Sequence, residues 1–265
     1  MILLFWACSG EPTTAVPDNA PAVEEAAPAP EMAFEYRPEG VELVPSLIGL
    51  NQALAAAGLQ DAAAARAAEI KLKPDVVVAN VAAARTGAEL GAFAVELGVT
   101  DPHLMAERVA RIQSGLDAIQ VDGPASVAAA DLQTFLTTNP TGDEVLARVE
   151  AGRPIALDLI EAHAGEEKIP LLAAGAWLQA YALIAGAMED VGDYSAAHAL
   201  FHQQPVGDYF ATYAATVGSS VIPGGVLEPL EMNLQTMKQL TSSDPMSAEE
   251  VKALREACED LLGML

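Results

Sequence analysis

We predict an all-α fold for this chain: a bundle or array of antiparallel helix hairpins with a duplicated core helix rich in alanine and glycine. Aromatic residues make up only 5% of the 265 residues, and alanine is abundant, a composition that favours closely packed helices. Strict two-residue alternation is missing, and apolar residues from residue 41 onward recur with helical spacing. The third observation is a run of uncharged residues from Ile169 to Met188, around which we expect the domain to be built.

This uncharged run, IPLLAAGAWLQAYALIAGAM, is long enough to cross a bilayer. Its many alanines, together with Pro170, Gly175 and Gln179, favour instead a helix that is buried inside the protein. At 100° per residue, Gly175 and Gln179 fall on one face, and Trp177 and Tyr181 fall on the opposite face. Because glycine permits close approach of two backbones, we expect another helix to pack tightly at Gly175.

A second segment is related to the core helix. The nine residues GAELGAFAV, which begin at Gly87, match GAWLQAYAL, which begin at Gly175, with five of nine positions identical. This match predicts an internal duplication, although helices rich in alanine and glycine also match through composition alone. In the first copy Arg85, Glu89 and Glu96 share the face opposite Gly87, and we expect that face to be the wetter one.

The pattern predicts eleven helices. Pro154 lies inside one of them and should kink or split it. Residues 121–125 and 218–225 carry glycine and proline and are interpreted as connecting loops. The predicted helices lie near 44–57, 60–71, 75–97, 102–120, 125–137, 142–164, 169–188, 194–203, 205–217, 226–240 and 247–263.

Several residues predict where helices begin and end. Asp61, Asp101 and Ser247 suit N-cap positions, and Glu250 would complete a capping box with Ser247. Gly58 suits the residue that follows a helix C-terminus.

The charge balance narrows the class of partner. The formal net charge is −24, from 13 basic and 37 acidic residues. Such a surface repels nucleic acid and anionic lipid headgroups, so we expect no nucleic-acid partner, and it attracts cations or basic proteins. Phosphate-binding loops, dinucleotide-binding glycine motifs and nucleophile elbows are missing from the sequence, which makes an enzyme the least favoured class. Cys258 is expected to be a free thiol on the last helix.

The N-terminal segment predicts a targeting signal. An apolar run, MILLFW, leads into Ala7-Cys8-Ser9, which resembles the lipobox of bacterial lipoproteins. Phe5 stands where leucine is commonest in that family, and no basic segment precedes the run. The resemblance implies that residues 1–8 are a signal peptide and lipobox and that the protein is held in the membrane through lipid on Cys8. Because Ser9 rather than aspartate follows, it also implies an outer-membrane lipoprotein of the bacterial envelope that faces the periplasm or the cell surface.

The rest of the chain divides into two parts. Residues 9–40 are rich in proline, alanine and glutamate and predict a disordered, extended tether. Residues 41–265 show no break in composition and predict a single all-helical domain. Within that domain, Gly192 to Phe201 resembles the turn and second helix of a tetratricopeptide repeat, without the 34-residue period of that family. The whole layout resembles all-helical bacterial lipoproteins to which no activity is assigned, and the resemblance implies packing only.

Two histidines form the most specific candidate for a metal-binding site. His198 and His202 are four residues apart on one helical face, a spacing that can place two imidazoles on one metal ion. Glu189, Asp190 and Asp208 are close enough in sequence to add a carboxylate. The alternative is a pair of surface or interfacial histidines on an amphipathic helix. No cofactor is expected apart from this divalent metal.

Polar residues on the two core helices form a second candidate. Arg85 and Glu89 are an i,i+4 pair that forms either a solvated stripe or one wall of a polar groove. Asn80 and Gln179 lie on the small-residue faces and predict either a hydrogen bond between helices or a ligand cavity. The residues named for a groove or polar core site are Asn80, Arg85, Glu89, Gln179, Trp177 and Tyr181.

The sequence therefore favours a non-enzymatic, lipid-anchored helical module that binds or scaffolds other proteins. The alternative is a periplasmic protein that binds a metal or a small ligand through the His198/His202 helix. A binding module predicts a groove lined by tyrosine and phenylalanine, a metal protein predicts histidines that converge with a carboxylate, and an enzyme predicts a deep pocket with several polar groups.

Overall fold

The computed structural model describes residues 47–72, 78–97, 99, 101–121, 124–164, 168–222 and 224–265, which form eleven α-helices and no strand. The predicted all-α class is confirmed. The predicted signal peptide with Cys8, the predicted tether over residues 9–40 and the first six residues of the predicted domain lie outside the described residues. The helices are α1 Leu47–Ala56, α2 Gln60–Glu69, α3 Ala79–Glu96, α4 Pro102–Ala118, α5 Pro124–Leu136, α6 Gly142–Ala164, α7 Lys168–Val191, α8 Ala197–Phe201, α9 Gln204–Val221, α10 Gly224–Leu240 and α11 Ala248–Met264.

Local chemistry explains several of the helix ends. Asp101 caps α4 by accepting a hydrogen bond from the backbone N–H of His103, and Ser247 with Glu250 forms the predicted capping box at α11. Gly58 follows α1 with a left-handed φ of 67°, which glycine adopts without strain. The prediction for Asp61 is wrong: α2 begins one residue earlier, so Asp61 lies in its first turn, where its charge complements the helix dipole.

Three predicted boundaries differ from the structure. The helix expected at 194–203 is reduced to the five residues of α8, because the carboxylate of Asp193 accepts the backbone N–H of Ser195 and forms a turn instead. The loop expected at 218–225 is mostly helical, since α9 continues to Val221. Gly218 lies within that helix, where a Cβ atom would collide with the Leu227 side chain of α10. Helix α6 is not split at Pro154.

The two related helices, α3 and α7, form the most extensive helix pair in the described chain, and they cross at their glycines. A Cβ atom on Gly87 would collide with the backbone carbonyl of Leu172, and one on Gly175 would collide with that of Ala84. The two contacts are equivalent, since Ala84 precedes Gly87 by three residues, as Leu172 precedes Gly175. A third collision, between Gly91 and the carbonyl of Ala176, lies four residues further along both helices. The helices therefore run in the same direction.

The remaining helices surround this parallel pair. Helix α2 contacts both α3 and α7, α4 and α5 continue outward from α3, and α11 covers α7. Helices α9 and α10 pack together as a hairpin, and α10 also contacts α11. Helix α7 is long and apolar enough to cross a membrane by length and composition, but most of it is buried within the fold, as in the core helix of a soluble domain.

Candidate functional site

A small apolar cleft lies between α7, α9 and α10. Its volume is about 40 Å³, and of its lining side chains only those of Trp177 and Tyr213 carry a polar atom. Helix α7 contributes one wall, because its crossing with α3 through the opposite, glycine-bearing face leaves Trp177 free to face α9. The lining residues are Pro170, Leu171, Ala174, Trp177, Leu178, Phe210, Tyr213, Ala214, Ile222, Leu230 and Leu234.

Trp177 connects the cleft to an aromatic cluster behind it. Its ring centroid lies 4.1 Å from that of Tyr181 and 5.7 Å from that of Phe210. The Tyr181 hydroxyl donates a 2.8 Å hydrogen bond to the backbone carbonyl of Phe201. Burial raises the pKa of Tyr181 well above its ordinary value, and the nearby indole of Trp177 opposes this only weakly, so the phenol stays protonated. Trp177 itself is 7% exposed, and its Nε1–H has no hydrogen-bond acceptor in the described chain.

The face of α3 expected to be wet is the most deeply buried polar region of the described chain. Glu89 and Glu96 are 0% and 1% exposed, so the prediction of a solvated stripe or open groove at Glu89 is wrong. The reason is Arg108 of α4, itself 1% exposed, whose guanidinium lies between the two carboxylates. Because Arg108 is distant in sequence, the helical periodicity of α3 alone does not show that its charges have a buried partner.

The hydrogen bonds of this cluster are nearly complete. Arg108 donates from Nε and Nη2 to both carboxylate oxygens of Glu96, at 2.6 and 2.8 Å, and from Nη2 to the backbone carbonyl of Ala67. Glu89 accepts from Arg108 and Arg111 and from the backbone N–H of Leu72. Burial lowers the pKa of Arg108, but the bonds and charges of the two glutamates outweigh it and raise the pKa above its ordinary value. The cluster joins α2, α3 and α4, and its closure to solvent indicates a structural role.

The other polar residues predicted for a groove do not line the cleft. Gln179 is buried on α7, whereas Asn80 and Arg85 of α3 are half-buried and make polar interactions. The predicted ligand cavity at Asn80 and Gln179 does not coincide with the cleft, which shares only Trp177 with the residues named from the sequence.

The structure brings His198 and His202 together. Their rings stack with centroids 4.5 Å apart and planes 24° apart. Each Nδ1 faces a backbone carbonyl of the segment between α10 and α11: His198 that of Ser243 at 2.8 Å, and His202 that of Thr241 at 2.9 Å. In the described residues no group of three His, Cys, Asp or Glu side chains is already arranged to hold a metal ion.

The three carboxylates named from the sequence as possible partners of these histidines form ion pairs with other residues. Asp190 forms a bidentate pair with Arg66, Glu189 binds Arg255, and Asp208 binds Lys238. A different carboxylate approaches the pair: Oδ2 of Asp244 lies 4.0 Å from Nε2 of His198. Asp244 is 42 positions beyond His202 in the sequence, so helical spacing gave no signal for it.

No family model, curated protein or solved structure matches the chain.

Proposed function

We propose that this protein is a non-enzymatic helical binding module that is held at a bacterial envelope membrane by lipid on Cys8. The module binds a basic protein partner through the apolar cleft between α7, α9 and α10. The observation that carries the proposal is the lining of the cleft, where Trp177, Phe210 and Tyr213 surround a space that no charged side chain enters. Such a lining suits recognition through apolar contact. An acid–base reaction would need several polar groups within reach of one another.

The size of the cleft argues for a protein partner rather than a small ligand. Small-molecule sites typically enclose roughly 300–1,000 Å³, and a cavity of roughly 150 Å³ is needed to hold a single benzene ring. The cleft encloses about 40 Å³, enough for the tip of one apolar side chain. An amphipathic helix that inserts one such side chain between α7 and α10 uses a groove in this way.

The negative charge of this protein favours partner segments with basic residues around the inserted apolar side chain. A formal net charge of −24 attracts a segment whose apolar anchor is flanked by lysine or arginine. Burying one leucine or phenylalanine side chain contributes ~1.5–3 kcal/mol, so blocking the cleft should weaken binding ~10–100-fold.

Fluorescence titration tests the cleft. A Trp6→Phe background leaves Trp177 as the single tryptophan. We expect a basic amphipathic helical peptide to change its emission saturably, and an acidic peptide with the same apolar face to have no effect. Ala174→Val, which fills the cleft, and Leu230→Lys, which charges its rim, should both weaken the basic peptide at least ~10-fold. Equal affinity for both peptides, or for both variants and the parent, would rule the cleft out as the binding site.

The anchor requires a separate experiment. A tether of about 30 residues at up to ~3.1 Å per residue would hold the domain several nanometres from the membrane, where its negative charge does not oppose anchoring. Full-length protein expressed with its native start should partition into detergent and incorporate radioactive palmitate, and Cys8→Ser should do neither. If both forms partition alike, Cys8 is not the anchor and the proposed localisation fails, while the cleft remains testable in solution.

A further inference from the structure

We infer that His198 and His202, joined by Asp244, form a binding site for a divalent transition metal such as Zn²⁺. The site is independent of the apolar cleft and of the membrane anchor. Two imidazoles supplied by the end of α8 and one carboxylate supplied by the α10–α11 connection would make up its protein ligands.

The hydrogen bonds of the two rings are those of metal-ligating histidines. A backbone carbonyl only accepts hydrogen bonds, so the Nδ1 atoms that face Ser243 and Thr241 each carry the ring proton. In a neutral ring the lone pair is then on Nε2. Histidines that bind metal through one nitrogen almost always donate from the other to a carbonyl or carboxylate, which fixes tautomer and orientation. Both rings already have this outer hydrogen bond, and no protein hydrogen bond to either Nε2 is described.

The third ligand is near and able to move. Asp244 Oδ2 lies 4.0 Å from Nε2 of His198, and the Asp244 side chain is 74% exposed. A zinc ion bonded at ~2.0–2.1 Å to both atoms would draw them together, which an exposed carboxylate can follow by rotation. The rings are stacked with planes 24° apart, so their Nε2 lone pairs do not yet converge, and the rings must rotate out of the stack for one ion to lie in both ring planes. Metal binding would therefore replace the ring stack with a site whose ligands are already neighbours.

The ligand set selects the class of metal. Two imidazole nitrogens favour Zn²⁺, Cu²⁺ or Ni²⁺, whereas Mg²⁺ and Ca²⁺ prefer sites made of oxygen atoms alone. This preference separates the site from the general attraction of cations by an acidic surface, which does not distinguish imidazole-binding metals from calcium. Once bound, the metal would tie α8 to the segment that precedes the capping box of α11.

Calorimetry with the full-length chain tests this inference, with zinc alone as the titrant and calcium as the competitor. We expect one zinc per chain at micromolar concentrations, no displacement by millimolar calcium and a melting temperature that rises with zinc. His202→Ala and His198→Ala should weaken zinc more than the ~10–100-fold loss typical of an outer-sphere change. Asp244→Asn should weaken it less, because both imidazoles remain. His103→Ala, at an exposed histidine of α4, is the matched control and should bind as the parent does.

Three results would overturn the site: no zinc binding by the parent chain, equal binding by the parent and both imidazole variants, or displacement by calcium. Circular dichroism of each variant separates loss of ligand from loss of fold. If one imidazole variant fails to fold, the other together with Asp244→Asn still decides the question.

Discussion

The crossing of α3 and α7 allows a prediction with a built-in control. Gly175→Ala adds one methyl group where the carbonyl of Ala84 and the backbone nitrogen of Ala88 leave no space. Backbone atoms of a packed helix cannot rotate aside, so the two helices must separate. Overpacking of this kind costs ~1–3 kcal/mol, which exceeds the ~0.5–1 kcal/mol that alanine gains over glycine in a helix.

Gly152→Ala is the matched control. Gly152 lies inside α6, and a Cβ atom there meets nothing within 4 Å. The same chemical change should therefore stabilise the protein through helix propensity alone. For a domain of this size each kcal/mol shifts the melting temperature by ~2–4 °C, so Gly175→Ala should lower it and Gly152→Ala should raise it.

The symmetry of the crossing also predicts how two substitutions combine in a double variant. Gly87→Ala pushes the same two helices apart as Gly175→Ala does, so the double variant should cost less than the sum of the single variants. Thermal unfolding followed by circular dichroism gives the melting temperatures of the three single variants and the double variant, each relative to the parent. If Gly175→Ala melts like Gly152→Ala, or if the two core substitutions are strictly additive, the close parallel crossing is refuted.

Four further predictions concern the rest of the domain. Arg108→Met should cost ~3–5 kcal/mol in urea unfolding, because it leaves the buried Glu96 carboxylate without its guanidinium partner and removes one of the donors to buried Glu89; a loss below 1 kcal/mol would contradict the burial. Ser247→Ala should cost ~1 kcal/mol through loss of the α11 cap, which the melting temperature reports. Burial raises the pKa of the Cys258 thiol, so mass spectrometry should find it unalkylated by iodoacetamide until the chain is unfolded. The hydrogen bond from Arg66 lowers the pKa of Asp190 below its ordinary 3.8. The small stabilisation that the pair gives is therefore present above pH 3.8 and is lost as the pH falls through the lowered pKa. In a plot of melting temperature against pH, Asp190→Asn should make the decrease at acid pH less steep.

Local sequence signals predicted the helices well. Apolar periodicity placed eleven helices close to those observed, and the caps at Asp101 and Ser247 were predicted because each acts on backbone groups within three residues. The match between the segments at Gly87 and Gly175 identified both central helices, and close helix contacts were expected at both glycines. That the two helices pack against each other, and in parallel, was not predicted, because the helices that connect α3 to α7 leave the partner and the orientation open.

The errors arose where a distant partner decides the outcome. Glu89 and Glu96 have the spacing of a solvated face, and only Arg108 on another helix makes their burial favourable. Gly218 lies in a segment with the composition of a loop, yet it is helical and packs closely against Leu227 of α10. The carboxylate that approaches His198 is that of Asp244, which follows α9 and α10 in the sequence. Sequence spacing predicts which residues are neighbours along one helix, but it does not predict these contacts between different helices.

Cross-linking from the partner's apolar anchor tests the proposed function most directly. A basic amphipathic peptide with a photoreactive leucine at its anchor position is irradiated with the full-length protein, and the adducts are mapped by mass spectrometry. Our account predicts adducts on the segments that contain Phe210 and Leu230, on opposite walls of the cleft, and their loss in Ala174→Val. Adducts spread over the acidic surface, or unchanged in that variant, would contradict it.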